Sequence, residues 1–238
     1  MEQLKTFFSD KTIHSVLDIG TGSGDFIKLI SPSFSPKTKI IGIDPIEGAL
    51  EEARQGNASS NVSFIKMEGE KLEFSDGSFD VVCLSNAMHH LASVEKTFAE
   101  MKRVVKPGGW LLIAEIVSDG LNEAQENQKM WHHFRSYVDR LEGITHQETW
   151  TESEVLNMIA ENGINPVLTF PFNRMAIPET DTEKLQARTD TFTSFLARLE
   201  GLPEYAAKEE LLEIFKNRIQ EHGFQLARQI VVLGKVDK

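Results

Sequence analysis

The chain has 238 residues, 40% of them hydrophobic, enough to bury a full core as one large domain or a domain with a substantial insertion. Its formal net charge of −11, with no Lys/Arg run, argues against a nucleic-acid backbone or an anionic membrane surface as partner. The single cysteine, Cys83, sits in the apolar run Val81-Val82-Cys83-Leu84 and reads as a buried, reduced thiol, which agrees with a reducing cytoplasm. Met1-Glu2-Gln3-Leu4-Lys5 lacks the apolar core of a signal peptide, and no apolar stretch approaches the ~20 residues of a membrane span. The expectation is a cytoplasmic protein with no integral membrane association.

In chain order, residues 1–12 read as a short helix or arm. A strand is expected over 15–19 and its helix over 25–30, followed by a Ser/Pro loop at 31–36 that breaks any period. The wholly apolar Ile40-Ile41-Gly42-Ile43 predicts a strand buried on both faces of a parallel sheet, ended by Asp44-Pro45. A helix follows over 46–55, with Leu50 and Ala53 inward. Residues 62–66 predict a third strand, with Val62 and Phe64 facing the core and Ile65 a further candidate. Residues 79–84 predict a fourth. Val94, Phe98, Met101 and Val105 recur at helical spacing, and Lys106-Pro107-Gly108-Gly109 is a stop signal before a fifth strand at 110–117. Strands alternating with helices imply right-handed crossovers and a doubly wound sheet.

After the fifth strand the rhythm changes. Residues 121–141 predict a long helix with Trp131, Phe134, Val138 and Leu141 as its apolar side. Thr151-Glu152-Ser153-Glu154 has capping-box form and starts a helix running to about 161. A strand is expected over 167–172. Two amphipathic helices follow at 182–199 and 204–222, then a last strand at 225–235. The architecture expected is α/β: a Rossmann-like doubly wound sheet of about seven mostly parallel strands, in one domain over 1–238. Residues 13–117 form the cofactor half. The helical additions are acceptor-side helices at 118–162 and an insertion at 174–222, read as a cover or a dimer surface.

The chain is organised around Val16-Leu17-Asp18-Ile19-Gly20-Thr21-Gly22-Ser23-Gly24-Asp25-Phe26: a strand, a glycine turn and a helix start, with the turn stripped of Cβ atoms so that a ligand can touch backbone. A dinucleotide turn wants glycine or alanine three places after its second glycine, where this chain has Asp25. Asp18 and Asp25 flank the turn and suit a cationic ligand better than a pyrophosphate. Asp44 ends the next strand about 20 residues on, where a ribose-binding acid is expected. A carboxylate there accepts two hydrogen bonds from a ribose diol.

These residues resemble the class I S-adenosylmethionine-dependent methyltransferases, and within them the "type 11" group that includes the ubiquinone/menaquinone-biosynthesis C-methyltransferases. The resemblance covers residues 15–117. Asp18 to Gly24 is similar to the family's first motif, Ile43-Asp44-Pro45 to its ribose-binding acid, and Asn61-Val62-Ser63-Phe64-Ile65 to its third strand. Ser75 to Asp80, Ser85 to Leu91 and Val104 to Gly109 match further motifs in the same order. It implies a cofactor site of Asp18, Gly20, Thr21, Gly22, Gly24, Asp44, Pro45, Glu68, Gly69, Glu70, Ser85 and Asn86. The family usually has Gly-Asp-Ala where this chain has Met67-Glu68-Gly69-Glu70, so the adenine-holding role passes to Glu68, with Glu70 as the alternative. Backbone carbonyls near Gly20 and Ser85 would hold the amino-acid end.

The resemblance implies S-adenosyl-L-methionine as cofactor, S-adenosyl-L-homocysteine as product and in-line methyl transfer to a small-molecule acceptor. The alternatives are a non-catalytic S-adenosylmethionine-binding regulatory protein and a nicotinamide-dependent oxidoreductase. A sulfonium methyl is already electrophilic, so placement and water exclusion are the main tasks. A base is needed only for a hydroxyl, carbon-acid or protonated-amine acceptor. Its candidates are His89, His90, Glu115 and His146. No metal is expected: His132 and His133 are helix neighbours about 100° apart, and no zinc-type Cys/His spacing is present. The partners expected are the small acceptor and no nucleic acid, with the chain a monomer or homodimer.

Overall fold

Short apolar runs form the parallel half of a sheet, the central ones buried on both faces. In the computed structural model, which describes residues 1–236, these are β1 (Ser15–Ile19), β2 (Lys39–Asp44), β3 (Val62–Lys66), β4 (Phe79–Ser85) and β5 (Val105–Ile116). With β6 (Ile164–Phe172) and β7 (Gln229–Val236) they make one seven-stranded sheet in the order β3-β2-β1-β4-β5-β7-β6. Pairings β1–β2, β2–β3, β1–β4 and β4–β5 are all parallel. The chain winds outward from β1 to β3, then returns to β4 on the other side of β1. That reversal opens a crevice beyond the carboxyl ends of β1 and β4.

Helices α1 (Glu2–Phe8), α2 (Asp25–Ile30), α3 (Glu47–Gly56) and α4 (Val94–Val104) accompany these strands. The remainder of the chain forms α5 (Glu123–Leu141), α6 (Glu152–Glu161), α7 (Thr182–Ala197) and α8 (Tyr205–His222). Two compact units result. The sheet unit holds Met1–Glu115, Leu156–Phe170 and the strand residues from Ile230; the helical unit holds Ile116–Val155 and Pro171–Gln229.

In the sheet unit the core is the two-faced apolar strand set: Val16, Leu17, Ile43, Val81, Val82, Leu84 and Leu112 are all at 0% exposure. Asp80 anchors its lower edge. Its carboxylate accepts from the His14 and Ser15 amides at 2.8 and 2.9 Å and from Lys106 Nζ at 2.7 Å. Burial raises the Asp80 pKa, but the Lys106 hydrogen bond and these amides outweigh it and hold the group below the ordinary carboxylate range.

Several boundaries differ from the sequence expectation. β5 starts at Val105, not Trp110, because Val105 already pairs with Phe79 before the register shifts and resumes at Val81–Trp110. Lys106 to Gly109 is therefore a bulge inside the strand rather than a stop before it. β6 begins at Ile164, three residues early, straight after Gly163 at φ +70°. Ile65 is 38% exposed because β3 is the sheet's edge.

In the helical unit, the apolar faces of α7 and α8 meet each other and α5. Phe192 stacks on Phe134 at 4.1 Å and 6° and touches Phe215 at 4.9 Å, with Val138, Leu196 and Ile219 around them. The two insertion helices thus find the apolar partner their sequence demands within their own unit. α5 itself corrects the sequence: Leu141, expected inward, is 52% exposed, while His132, Ser136 and Asp139 are buried. Its start is set by a capping box between Asn122 and Gln125, and that of α6 by one between Thr151 and Glu154. No described helix is long and apolar enough to cross a membrane.

Candidate functional site

The glycine turn between β1 and α2 lies at the crevice. Gly20, Gly22 and Gly24 all take positive φ, at +65°, +52° and +77°. Two of them face different surroundings. A Cβ on Gly20 would lie 2.6 Å from the Ala87 Cβ, so that glycine lets the turn press against the loop after β4. A Cβ on Gly22 would meet nothing within 4 Å. Gly22 therefore lines open space, and its side-chain position is where a ligand can approach backbone.

Two acids fix this turn. Asp44 at the end of β2 accepts from the Gly22 amide through Oδ2 at 3.0 Å and from the Ile46 amide through Oδ1 at 2.9 Å. Each oxygen keeps further lone-pair capacity for a ligand hydroxyl. Asp18 is fully buried; its Oδ2 accepts from Thr21 Oγ1 at 2.6 Å, while Oδ1 has no hydrogen-bond partner among the described residues. Burial, relieved by the Thr21 bond and reinforced by the nearby Asp44 charge, pushes the Asp18 pKa up to about 7. Thr21 also ties the turn to β2 through its amide, at 2.9 Å from the Ile43 carbonyl.

This modifies the charge argument drawn from the sequence. Asp25 does not bracket the cradle: it is exposed and paired with Lys28 at 3.1 Å. Asp18 is poised near neutrality rather than permanently charged. A cationic group beside it would favour its ionised form, and an uncompensated buried carboxylate atom is what such a ligand satisfies. These observations fit S-adenosylmethionine: open backbone at Gly22, an unpartnered buried oxygen on Asp18, and a diol acceptor at Asp44. Ile46, missed by the sequence reading, adds a 64%-exposed apolar surface directly after Asp44-Pro45. Its signal was a lone hydrophobe at the polar start of a helix.

The other expected cofactor residues are placed as follows. Glu68 is exposed just beyond β3, and Gly69 is buried. Glu70 accepts from the Ala92 and Ser93 amides at 2.9 and 3.2 Å, so it holds the loop entering α4. Ser85 ends β4 half-buried, in register with Ala114. Asn86 follows at φ +49°, the one described non-glycine residue with positive φ, with its amide on the Ala114 carbonyl at 2.8 Å. Such strain gathers at ligand-binding loops, and asparagine tolerates it best.

Among the base candidates, the structure brings His89 and Glu115 into contact and places the His90 ring 4.3 Å from that of His89. Glu115, at 0% exposure, accepts from the Met88 amide through Oε2 at 3.0 Å and meets His89 Nδ1 through Oε1 at 2.9 Å. With the Glu115 carboxylate as acceptor, that contact puts a ring proton on Nδ1. His89 is buried, whereas His90, in the same 3₁₀ turn, is exposed with its ring against that of His89. His146 belongs to the helical unit, where its Nδ1 meets Asp139 Oδ2 at 2.7 Å and its Nε2 meets His132 Nε2 at 3.2 Å. His133, beside His132, turns instead to Thr149 Oγ1 at 2.8 Å, and burial lowers its pKa.

Comparison with known proteins gives a match to the family described as "Methyltransferase domain" over residues 17–113. The chain is 36% identical over 104 residues to the demethylmenaquinone methyltransferase of Symbiobacterium thermophilum, covering 42% of this chain and 41% of that one. It spans about two fifths of the length of the curated relatives it matches. Its fold resembles that of a putative methyltransferase from Bacillus halodurans, with TM-score 0.63 and 21% identity, covering 98% and 96% of the two chains. It also resembles the fold of a SAM-dependent methyltransferase from Thiobacillus denitrificans in complex with S-adenosyl-L-homocysteine, with TM-score 0.57 and 18% identity, covering 99% and 91%. Residues 17–113, with the motifs and the sheet order that accompany them, match the methyltransferase-domain family, and the fold of the chain is that of solved S-adenosylmethionine-dependent methyltransferases.

Proposed function

We propose that the protein methylates a small molecule, with S-adenosylmethionine held at the carboxyl ends of β1, β2 and β4. The observation that carries this reading is the glycine cradle: Gly22 facing open space between the Asp44 anchor and the unpartnered Asp18 oxygen. When bound, the cofactor supplies an electrophilic methyl group. Asp44 orients the ribose through the lone pairs it does not spend on the Gly22 and Ile46 amides. Asp18 balances the cofactor's positive end, and Glu68, Gly69 and Ile46 border the adenine side.

His89 is the proposed base. Glu115 holds the Nδ1 proton, so Nε2 takes a proton from an acidic acceptor as the new bond to its oxygen or carbon forms. Glu115 acts as a positioning residue, since both of its oxygens are committed within the protein. A demethylated quinol has such an acidic ring and hydroxyl, and it is the class that the name of the Symbiobacterium relative implies. The family match lies over residues 17–113, the proposed cofactor half, so residues outside it are proposed to select the acceptor.

The test is transfer of a labelled methyl group to a panel of small acceptors that includes a reduced demethylmenaquinone analogue. Label appearing in any acceptor, and lost in the His89→Ala variant, supports the reading. Tight S-adenosylmethionine binding with no transfer to the whole panel would instead point to a regulatory binding protein.

A further inference from the structure

The helical unit holds a cluster that methyl transfer does not require. On α5, Gln128, His132, Arg135 and Asp139 follow one another at spacings of four, three and four, which places them on one face. Gln128, His132 and Asp139 are buried, at 7%, 6% and 6% exposure. The loop after α5 returns His146, at 1% exposure, onto this stripe. The two imidazoles meet Nε2 to Nε2 at 3.2 Å, and Asp139 Oδ2 sits 2.7 Å behind His146 on Nδ1.

We propose that His132 and His146 chelate a divalent transition-metal ion, zinc or one of its neighbours, through their Nε2 atoms. Three observations support this. First, tetrahedral coordination at about 2.0–2.1 Å places two ligand nitrogens about 3.3 Å apart, close to the separation seen. Second, Asp139 fixes the His146 tautomer. With the proton on Nδ1, the Nε2 lone pair faces His132, which is the carboxylate–histidine arrangement that backs metal-binding imidazoles. Arg135 Nε, 3.5 Å from the same Asp139 oxygen, keeps that carboxylate in place.

Third, the stripe carries a buried polar atom that the protein leaves unmet. Gln128 Oε1, one turn before His132, has no hydrogen-bond partner among the described residues. An ordinary histidine–histidine hydrogen bond gives it nothing. A metal with its remaining positions filled by water, or by a donor atom of a bound molecule, brings a donor to this face of α5. Imidazole nitrogen with open positions suits Zn²⁺, Co²⁺ or Ni²⁺ rather than Mg²⁺ or Ca²⁺.

The proposal goes beyond the methyl-transfer reading and is tested without an activity assay. The full chain, stripped with chelator, is titrated with Zn²⁺ by calorimetry and with Co²⁺ by visible absorption. The expected result is one ion per chain and a Co²⁺ ligand-field band. His132→Gln and His146→Gln abolish both while retaining the wild-type far-UV spectrum. Asp139→Asn weakens binding about 10–100-fold, and His133→Gln leaves it unchanged. If a Gln variant fails to fold, nitrogen-coupled EPR of the Cu²⁺-loaded wild-type chain still counts the imidazoles, and two are expected. No saturable binding by the wild-type chain, or binding unaffected by both folded Gln variants, would overturn the proposal and leave the cluster a hydrogen-bonded Asp–His–His chain.

Discussion

Alanine at Gly22 and alanine at Gly20 separate a ligand cradle from a merely tight turn. Both residues sit at positive φ, so each alanine costs about 1–2 kcal/mol of backbone strain. At Gly20 the new methyl also lies 2.6 Å from Ala87, and forcing that overlap adds about 1–3 kcal/mol. Gly20→Ala is therefore expected to lose about 2–5 kcal/mol of stability in urea denaturation. Gly22→Ala is expected to lose only the strain, because nothing in the protein lies within 4 Å of its added carbon. Its cost falls on the ligand. Losing one backbone contact to a charged group is worth about 1.5–3 kcal/mol, and at 1.4 kcal/mol per decade the affinity for S-adenosylhomocysteine falls about 10–100-fold. Calorimetric titration reads this directly. Wild-type affinity in a folded Gly22→Ala variant would refute the assignment of that open space to the cofactor.

Further expectations concern the acids and the second core. Asp18 has its pKa raised from 3.8 to about 7, so its contribution to stability is full below pH 4 and disappears as the pH rises through 7. Asp18→Asn should therefore gain on wild type as pH rises from 4 to 8, by about 4 kcal/mol at most; a pH-independent difference in denaturation midpoints would contradict the burial argument. Wild type is expected to bind S-adenosylmethionine more tightly as pH rises from 6 to 8, and the same variant to lose that tightening. Asp44→Ala orphans the Gly22 and Ile46 amides, lowering stability by about 2–4 kcal/mol and cofactor affinity about 100-fold or more; equal loss for a ligand lacking the ribose hydroxyls would rule out the ribose role. Glu115→Ala frees the His89 ring and is expected to lower kcat more than it raises KM, with an altered pH–rate profile. In the helical unit, Phe192→Ala removes a fully buried ring stacked on Phe134 and should cost about 3–5 kcal/mol; a loss under about 1 kcal/mol would show that the core there collapses to fill the space.

Local chemistry made the cofactor half legible. The Asp18 to Gly24 turn and the apolar strand ending at Asp44 each declare their conformation within a few residues and form as expected, as does the Thr151–Glu154 capping box in the helical unit, whereas the Asn122–Gln125 box went unread. Contacts at long sequence distance were not legible. Which of the candidate bases has a carboxylate behind it depends on His89 meeting Glu115 across 26 residues and on His146 meeting Asp139. The metal-type pair depends on the loop after α5 bringing His146 back 14 residues to His132. Adjacent-histidine spacing compared His132 with His133, which face different neighbours, and so could not register the contact between His132 and His146. Formal charge also misled: Asp18 and Asp25 carry the same letter, but one is buried with a raised pKa and the other is an exposed partner of Lys28. Solvation, not sequence, distinguishes them.

The proposed role of the glycine cradle with Asp18 and Asp44 is to hold a cationic nucleoside cofactor. Calorimetric titration of the intact chain with S-adenosylmethionine, S-adenosylhomocysteine and NADH tests it most directly. Saturable one-to-one binding of the first two, abolished by Asp44→Ala, with no binding of NADH, is the predicted result. Binding of NADH without either adenosyl ligand, or no binding of any of the three by the folded chain, would contradict it.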